Sequence, residues 1–213
     1  MDFNHLLELV GDAPVFESAL LMAGDVEPAQ VHLQLSRWTT AGRVYQLRRG
    51  LYALAPPFQK VKPHPFVLAN AMIRASYVSC QSALAYYGLI PEYVPTTVSV
   101  TTARPARRET PLGMFEFCHI KPNLLRGYRL TDLGGGQQAF VATPEKALLD
   151  WIYLQPGGDS PAFIRELRLQ NQENLNLEEL HRQAEYFNIP KMKRAENFVA
   201  EVARAEIQEY ESL

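Results

Sequence analysis

A proline-interrupted basic stretch between residues 55 and 65 divides the chain into a short N-terminal part and a longer C-terminal part. The stretch contains Ala55, Pro56, Pro57, Lys60, Lys62, Pro63 and Pro65. Proline fixes φ and removes a backbone donor, so neither a regular helix nor a central strand continues through such a stretch. We therefore predict two units, residues 1–56 and 57–213.

Short helical segments begin the first unit. Residues 4–10 carry apolar side chains at helical spacing and stop at Gly11, which predicts a first helix. A second short helix is predicted from Glu17 to Ala23, ended by Gly24, with Asp25 as a cap for the helix that follows. Two short helices and a tight turn are the expected result.

A longer third helix and a hairpin complete the first unit. From Pro28 to about Ala41, apolar side chains recur every three or four residues and define one buried face. Residues 44–47 and 51–54 then form two apolar runs that flank Arg48-Arg49-Gly50, the pattern of a β-hairpin with a basic tip.

This order of elements predicts a winged helix-turn-helix, whose third helix can enter the major groove of DNA while the hairpin forms the wing. The outward side chains of the helix suit base edges, and the arginines at the tip suit phosphates or the minor groove. The predicted DNA contacts are Gln30, Leu33, Ser36, Arg37 and Thr40 on the helix and Arg48 and Arg49 on the hairpin.

Charge favours a competing interpretation of the first unit. Residues 1–56 hold four basic and six acidic side chains, whereas DNA binding draws on clustered positive charge. All four basic residues nevertheless lie on the third helix or around the hairpin. The alternative is a helical domain with merely solvated arginines, or a winged helix used for protein contact.

The second unit is predicted to be a mixed α/β domain to about residue 155, with a helical end over residues 160–213. Residues 96–102, 114–120 and 138–142 have the pattern of strands, and Ser79 is expected to cap a helix. Thr143 caps the clearest helix, on which Lys146 and Asp150 are expected to form an exposed i,i+4 pair. The predicted fold class of the whole chain is therefore α+β, an N-terminal winged helix-turn-helix followed by a mixed α/β domain.

Three arginines stand within five residues between two predicted strands. Arg104, Arg107 and Arg108 are expected on a hairpin-like loop. Such a loop can hold phosphate or an acidic protein surface, or can simply be solvated. The sequence leaves these alternatives open.

No motif indicates an active site, a metal site or a cofactor. The five histidines lack HxxxH or HExxH spacing, and Cys80 and Cys118 are predicted to be reduced thiols. A nuclease is the less favoured alternative, and its candidate residues are Glu116, Asp132, Glu145 and Lys146. The predicted function therefore involves no enzyme activity, no catalytic residue and no cofactor.

The expected location is the cytoplasm. The longest apolar runs are much shorter than the roughly 20 residues of a membrane-spanning helix. The N-terminus carries Asp2 and no basic segment that precedes an apolar one. The sequence therefore predicts neither a membrane segment nor a secretory signal.

Seven segments of the chain, taken in their order, form a distinctive pattern: residues 46–53, 76–79, 82–84, 87–89, 119–122, 127–128 and 142–150. Together they resemble the AbiEi family of antitoxins from type IV toxin-antitoxin systems. It covers nearly the whole chain and is weakest over residues 1–14 and after about Pro190.

The resemblance implies a transcriptional repressor of its own operon that binds double-stranded DNA at its promoter. It also implies that the second unit counters a nucleotidyltransferase toxin, not necessarily as a stable complex. The protein is expected to be a monomer or a weak dimer. The alternative is a protein-interaction module that does not bind DNA specifically.

Overall fold

The computed structural model describes residues 2–22 and 26–211, with the backbone alone for residues 205–211. The first 56 residues form α1 (Phe3–Val10), β1 (Phe16–Glu17), a 3-10 helix (Ser18–Met22), α2 (Pro28–Thr40), β2 (Val44–Arg48) and β3 (Leu51–Leu54). Asp2 caps α1, because its carboxylate accepts a hydrogen bond from the backbone amide of His5 at 2.9 Å. The strands of this part form an antiparallel sheet in the order β1-β3-β2.

A six-stranded mixed sheet is the centre of the described residues after position 56. Its strands are β4 (Ser76–Val78), β5 (Thr96–Thr101), β6 (Ala106–Thr110), β7 (Gly113–His119), β8 (Tyr128–Asp132) and β9 (Gln138–Ala142). The strand order is β6-β7-β5-β4-β9-β8, in which β5 pairs with β7 and β4 pairs with β9 in parallel. The sheet is therefore a mixed one with β6 and β8 at its two edges.

Helices surround this sheet. In the part of the chain that the structure describes, they are α3 (Pro65–Met72), α4 (Cys80–Tyr86), α5 (Pro144–Leu154), α6 (Pro161–Glu166), α7 (Leu177–Phe187) and α8 (Pro190–Glu211). α3 contacts β4 and β9, α4 packs on α5, and α7 contacts both α5 and α8. The C-terminal end is thus helical, as predicted. Of the helices in the described part, none combines the length and hydrophobicity needed to cross a membrane.

The hairpin β2–β3 lies between two hydrophobic cores. Leu51 and Ala53 belong to the larger core, which consists mostly of residues after position 65, whereas Tyr52 and Leu54 belong to the smaller N-terminal core. Because successive side chains of a strand point to opposite faces, β3 is buried on both sides. The hairpin therefore joins the two parts of the chain through apolar packing.

One predicted element of the first part differs from the structure. The segment expected as a second α-helix is the short strand β1 followed by a 3-10 helix, since β1 pairs with β3 through Phe16 and Tyr52. The predicted stop at Gly24 and cap at Asp25 lie outside the described residues, as does Ala23. The third helix is confirmed over Pro28–Thr40.

Several predictions for the second part were wrong or incomplete. Arg107 and Arg108 lie in strand β6 and not in a loop, because β6 pairs with β7 along its whole length. Ser79 precedes α4, but among the described residues its side chain makes no capping hydrogen bond. The short strand β4 and the edge strand β8 were not predicted. The Thr143 cap of α5 is confirmed by a 3.3 Å hydrogen bond from the amide of Lys146.

Candidate nucleic-acid interface

A polar groove of about 350 Å³ separates helix α2 from the hairpin β2–β3. Its lining residues are His32, Ser36, Thr39, Thr40, Gln46, Arg49, Gly50 and Tyr52. One wall therefore comes from the exposed side of α2 and the other from the hairpin and its basic tip. Three of the predicted contacts, Ser36, Thr40 and Arg49, border this same groove.

The outward face of α2 carries the remaining predicted helix contacts. Gln30 is exposed, and Leu33 retains 52% of its accessible surface. Arg37 is exposed as well. The opposite face buries Val31, Leu35 and others of the smaller core. The helix thus presents small polar groups, one apolar side chain and one guanidinium to the solvent.

The hairpin wall is held in place by contacts that the sequence did not indicate. Gln46 Nε2 donates a hydrogen bond to the Tyr52 hydroxyl at 3.2 Å, across the strand pair in which the two residues are partners. Burial raises the pKa of Tyr52, and its ring stacks on Phe16 at 5.8 Å. The hydrogen bond and the ring contact therefore hold Tyr52 in the hairpin wall of the groove.

The tip of the hairpin is anchored to the 3-10 helix. The backbone amide of Ser18 donates to the Gly50 carbonyl at 2.9 Å. Gly50 has φ +78°, and a Cβ at this position would lie 3.4 Å from Ser18 Oγ, so glycine meets both the conformation and the close approach. Arg49, next to this glycine, is exposed at the mouth of the groove.

Arg48 lies elsewhere than predicted. Its Nη2 is 3.4 Å from Glu17 Oε1 and 3.4 Å from the Ala71 carbonyl oxygen, so the guanidinium reaches across to the end of α3. Its Nε is buried and has no hydrogen-bond partner in the described part of the chain. Arg48 therefore connects the two parts of the protein, while Arg49 faces the groove.

Besides the predicted DNA contacts Ser36, Thr40 and Arg49, the groove is lined by His32, Thr39, Gln46, Gly50 and Tyr52. His32 stands four residues before Ser36, so helical spacing could have placed it beside the predicted contacts. The pairing of Gln46 with Tyr52 depends on the register of β2 and β3, which the length of the turn alone did not specify. Thr39 is already engaged, since its hydroxyl donates to the Leu35 carbonyl at 2.8 Å.

The three clustered arginines are spread over two environments. Arg104 is exposed in the loop before β6, and Arg107 is exposed on the strand opposite Glu116. Arg108 is half-buried opposite Phe115, and its Nε is buried without a hydrogen-bond partner among the described residues. Adjacent side chains on a strand point to opposite faces, so these arginines do not form a single cluster.

A buried polar network lies beneath α5. The ammonium of Lys146 pairs with the carboxylate of Asp150, with side-chain exposures of 2% and 0%. Asp150 Oδ2 also accepts hydrogen bonds from the Tyr77 hydroxyl at 2.9 Å and the Ser79 hydroxyl at 2.7 Å. The expectation of an exposed pair was therefore wrong, because β4 and the residue before α4 contact Asp150, while α7 places the Phe187 ring 5.0 Å from Lys146 Nζ.

Burial changes the titration of several groups in this region. Desolvation raises the pKa of Asp150, an effect that the Lys146 charge and the hydrogen bonds from Ser79 and Tyr77 partly offset. Desolvation also raises the pKa of Cys80 well above its usual range and that of Cys118 to about 11. Both cysteines are free thiols, and their thiolate forms are therefore disfavoured.

The acidic residues of the nuclease hypothesis lie apart from one another. Glu116 is on β7 and Asp132 at the exposed end of β8, whereas Glu145 is buried and accepts from the Asn176 amide at 2.9 Å. Within residues 2–22 and 26–204, no three histidine, cysteine or acidic side chains are placed to hold a metal ion.

No family model matches the sequence, and no curated protein matches it.

Proposed function

We propose that this protein is a DNA-binding transcriptional regulator whose first unit acts as a winged helix-turn-helix. In this proposal α2 is the recognition helix and the hairpin β2–β3 is the wing. The supporting observation is the polar groove that α2 and the hairpin tip border together. A basic tip beside an exposed helix is the arrangement by which such proteins contact a backbone and an adjacent major groove.

The side chains of the groove and of the outward face of α2 favour a division of roles. Gln30, Ser36 and Thr40 offer uncharged donors and acceptors of the kind that read base edges, and Leu33 can contact a thymine methyl group. Arg37 and Arg49 supply positive charge for phosphates. Arg48 contributes indirectly, since it holds the hairpin against the second unit.

The resemblance to AbiEi antitoxins supports a narrower proposal for the second unit. Two of the segments that carry it, residues 76–79 and 142–150, meet in the buried network of Tyr77, Ser79 and Asp150. We propose that the protein represses its own promoter and that the second unit counters a nucleotidyltransferase toxin. Co-expression with a neighbouring nucleotidyltransferase gene tests this part, because the antitoxin should restore growth.

A protein-interaction module is the second candidate, and one surface favours it. Leu130 on the edge strand β8 is 54% exposed and lies opposite Phe140, which is 39% exposed, with Tyr128 beside them. Exposed apolar side chains along a sheet edge are typical of contact surfaces. This candidate predicts no salt-dependent affinity for any DNA duplex.

The decisive experiment measures binding to DNA from upstream of the gene and to an unrelated duplex of equal length, at several salt concentrations. We expect a preference on the order of 10³ or more for the upstream duplex. Arg49→Ala should weaken binding and lower the salt slope by about 1, since it removes one phosphate contact.

The matched control for this experiment is Lys193→Ala. Lys193 is an exposed cation on α8, where it borders a different cavity together with His181 and Glu185 of α7. Its removal should leave affinity and salt slope unchanged. Equal binding of wild type and Arg49→Ala would show that the hairpin is not a DNA-binding wing, and equal affinity for both duplexes would show that no operator is recognised.

A further inference from the structure

The wing lies beside basic residues of the second unit. Glu17 Oε1 accepts from Arg48 Nη2 at 3.4 Å and from Arg74 Nη2 at 2.8 Å, so a single carboxylate joins an arginine of the hairpin to one that follows α3. The Arg48 contact with the Ala71 carbonyl brings the same two segments together. Arg74 is therefore a neighbour of the hairpin tip, although it is distant from Arg48 in the sequence.

The end of strand β5 brings the loop that contains Arg104 towards the segment that contains Arg74. The Thr101 hydroxyl donates to the Ala75 carbonyl at 2.7 Å, which holds the end of β5 against the residue that follows Arg74. Arg104 stands three positions after Thr101, in a loop that a 3.0 Å contact between His119 Nδ1 and the Ala103 carbonyl also fixes. Strand β6, which begins just after this loop, contacts strand β2 of the hairpin.

Arg74 and Arg104 are more exposed to solvent than Arg48 and are therefore freer to contact a ligand. The Arg74 side chain is 78% exposed despite its ion pair, and Arg104 is exposed in its loop. Glu17 neutralises only one of the two arginines that it contacts. Arg107 is a weaker candidate, because Glu116 lies directly opposite on β7.

We infer that the DNA-binding surface extends past the wing onto the second unit, where Arg74 and Arg104 contact the phosphate backbone of the flanking duplex. This inference rests on the proposed function. It also accounts for the charge distribution, since residues 1–56 carry two more acidic than basic side chains and residues 57–135 carry nine basic against four acidic ones. The second unit thus adds to Arg37 and Arg49 the positive charge that DNA binding requires.

The test compares the full-length protein with the double variant Arg74→Ala/Arg104→Ala on the upstream duplex. Removal of one phosphate contact should lower the slope of log K against log salt by about 0.9, so the slope of the double variant should fall by about twice that. The ratio of affinities for the upstream and unrelated duplexes should stay unchanged, because phosphate contacts carry no direct sequence information.

Two further variants separate charge from folding. Arg74→Lys/Arg104→Lys keeps both charges and should restore the wild-type slope, whereas Lys193→Ala should have no effect. A duplex shortened by about one helical turn on the wing side should bind the wild type and the double alanine variant with the same slope.

The possible outcomes distinguish this inference from the proposed function. If Arg49→Ala lowers the slope but the double alanine variant does not, the regulator stands, and Arg74 and Arg104 serve another partner, such as an acidic protein. If the wild type shows no salt-dependent binding to either duplex, the proposed function itself is wrong. A loss of sequence preference in the double variant would also contradict a role limited to the phosphate backbone.

Discussion

Lys146 and Asp150 have the i,i+4 spacing of a surface ion pair, but both side chains are buried in the core. Each charge loses its hydration on burial, and the pair is retained because the carboxylate also accepts hydrogen bonds from Tyr77 and Ser79. Removing one member of such a pair leaves an uncompensated buried charge, whereas removing both charges together avoids that cost. The pair therefore couples α5 to β4 and to the residue before α4.

We predict strongly non-additive effects at this pair. Lys146→Met or Asp150→Asn alone should lower the free energy of unfolding by about 3–5 kcal/mol, because each leaves one charge buried without its partner. The double variant should be destabilised by clearly less than the sum of the two, which urea unfolding at neutral pH measures. Additive losses would mean that the two charges do not interact.

Helix α3 depends on a histidine at its first turn. His64 Nδ1 accepts a hydrogen bond from the Phe66 amide at 3.2 Å, and Pro65, which follows it, has no backbone N–H that would need an acceptor. Burial lowers the pKa of His64. Only the neutral ring can accept this hydrogen bond, so the cap and the protonated form are incompatible.

The cap predicts a pH dependence of stability. Because the folded state disfavours protonation, the unfolded chain binds more protons once the pH falls below about 6.5, the ordinary value for histidine. The stabilising contribution is thus complete above that pH and decreases as the pH falls towards the lowered folded pKa. Urea midpoints measured between neutral and mildly acidic pH should show this loss.

The matched control is His64→Asn, which keeps a capping acceptor but does not titrate. As the pH falls, the wild type should lose stability relative to this variant, as measured by their unfolding free energies. A difference independent of pH would show that His64 does not cap α3 through its neutral ring.

At the scale of the whole molecule, the hairpin packs into both hydrophobic cores and so links their folding. Leu51 and Ala53 pack in the larger core and Tyr52 and Leu54 in the smaller one. Neither core is complete without β3, so separate unfolding of either part would expose one face of this strand. The hairpin thus fixes the position of the groove relative to Arg74.

We predict that both parts unfold in a single transition. The two tryptophans report on different cores, since Trp38 is in the smaller and Trp151 packs against the larger. Trp151→Phe retains only Trp38, and Trp38→Phe retains only Trp151. In each variant, the urea transition followed by the fluorescence of the remaining tryptophan should coincide with the transition followed by circular dichroism.

A core substitution sharpens this test. Leu35→Ala removes a side chain from the smaller core alone, at a cost of about 2–5 kcal/mol. In a cooperative molecule it should also lower the midpoint reported by Trp151. A Trp151 transition that does not move would show that the two parts unfold independently.

The sequence by itself determined the elements that depend on local interactions. Helix α2 follows from apolar side chains at helical spacing after Pro28, and α5 follows from the Thr143 cap with a proline at its first position. Strand β7 follows from alternation between Phe115 and Phe117 and their polar neighbours. These signals act within a few residues of one another, so the sequence displays them directly.

Only the tertiary structure decided the partners and the burial of these elements. The three residues of β4 carry too short a pattern to predict a strand, and β8 has mostly exposed side chains. The spacing of Lys146 and Asp150 shows that they share a face of α5, but β4, Ser79 and α7 together determine that this face is covered. Arg48 turns from the groove to Glu17 and Ala71 because the second unit packs there. Such contacts join residues distant in the chain, and local spacing carries no information about them.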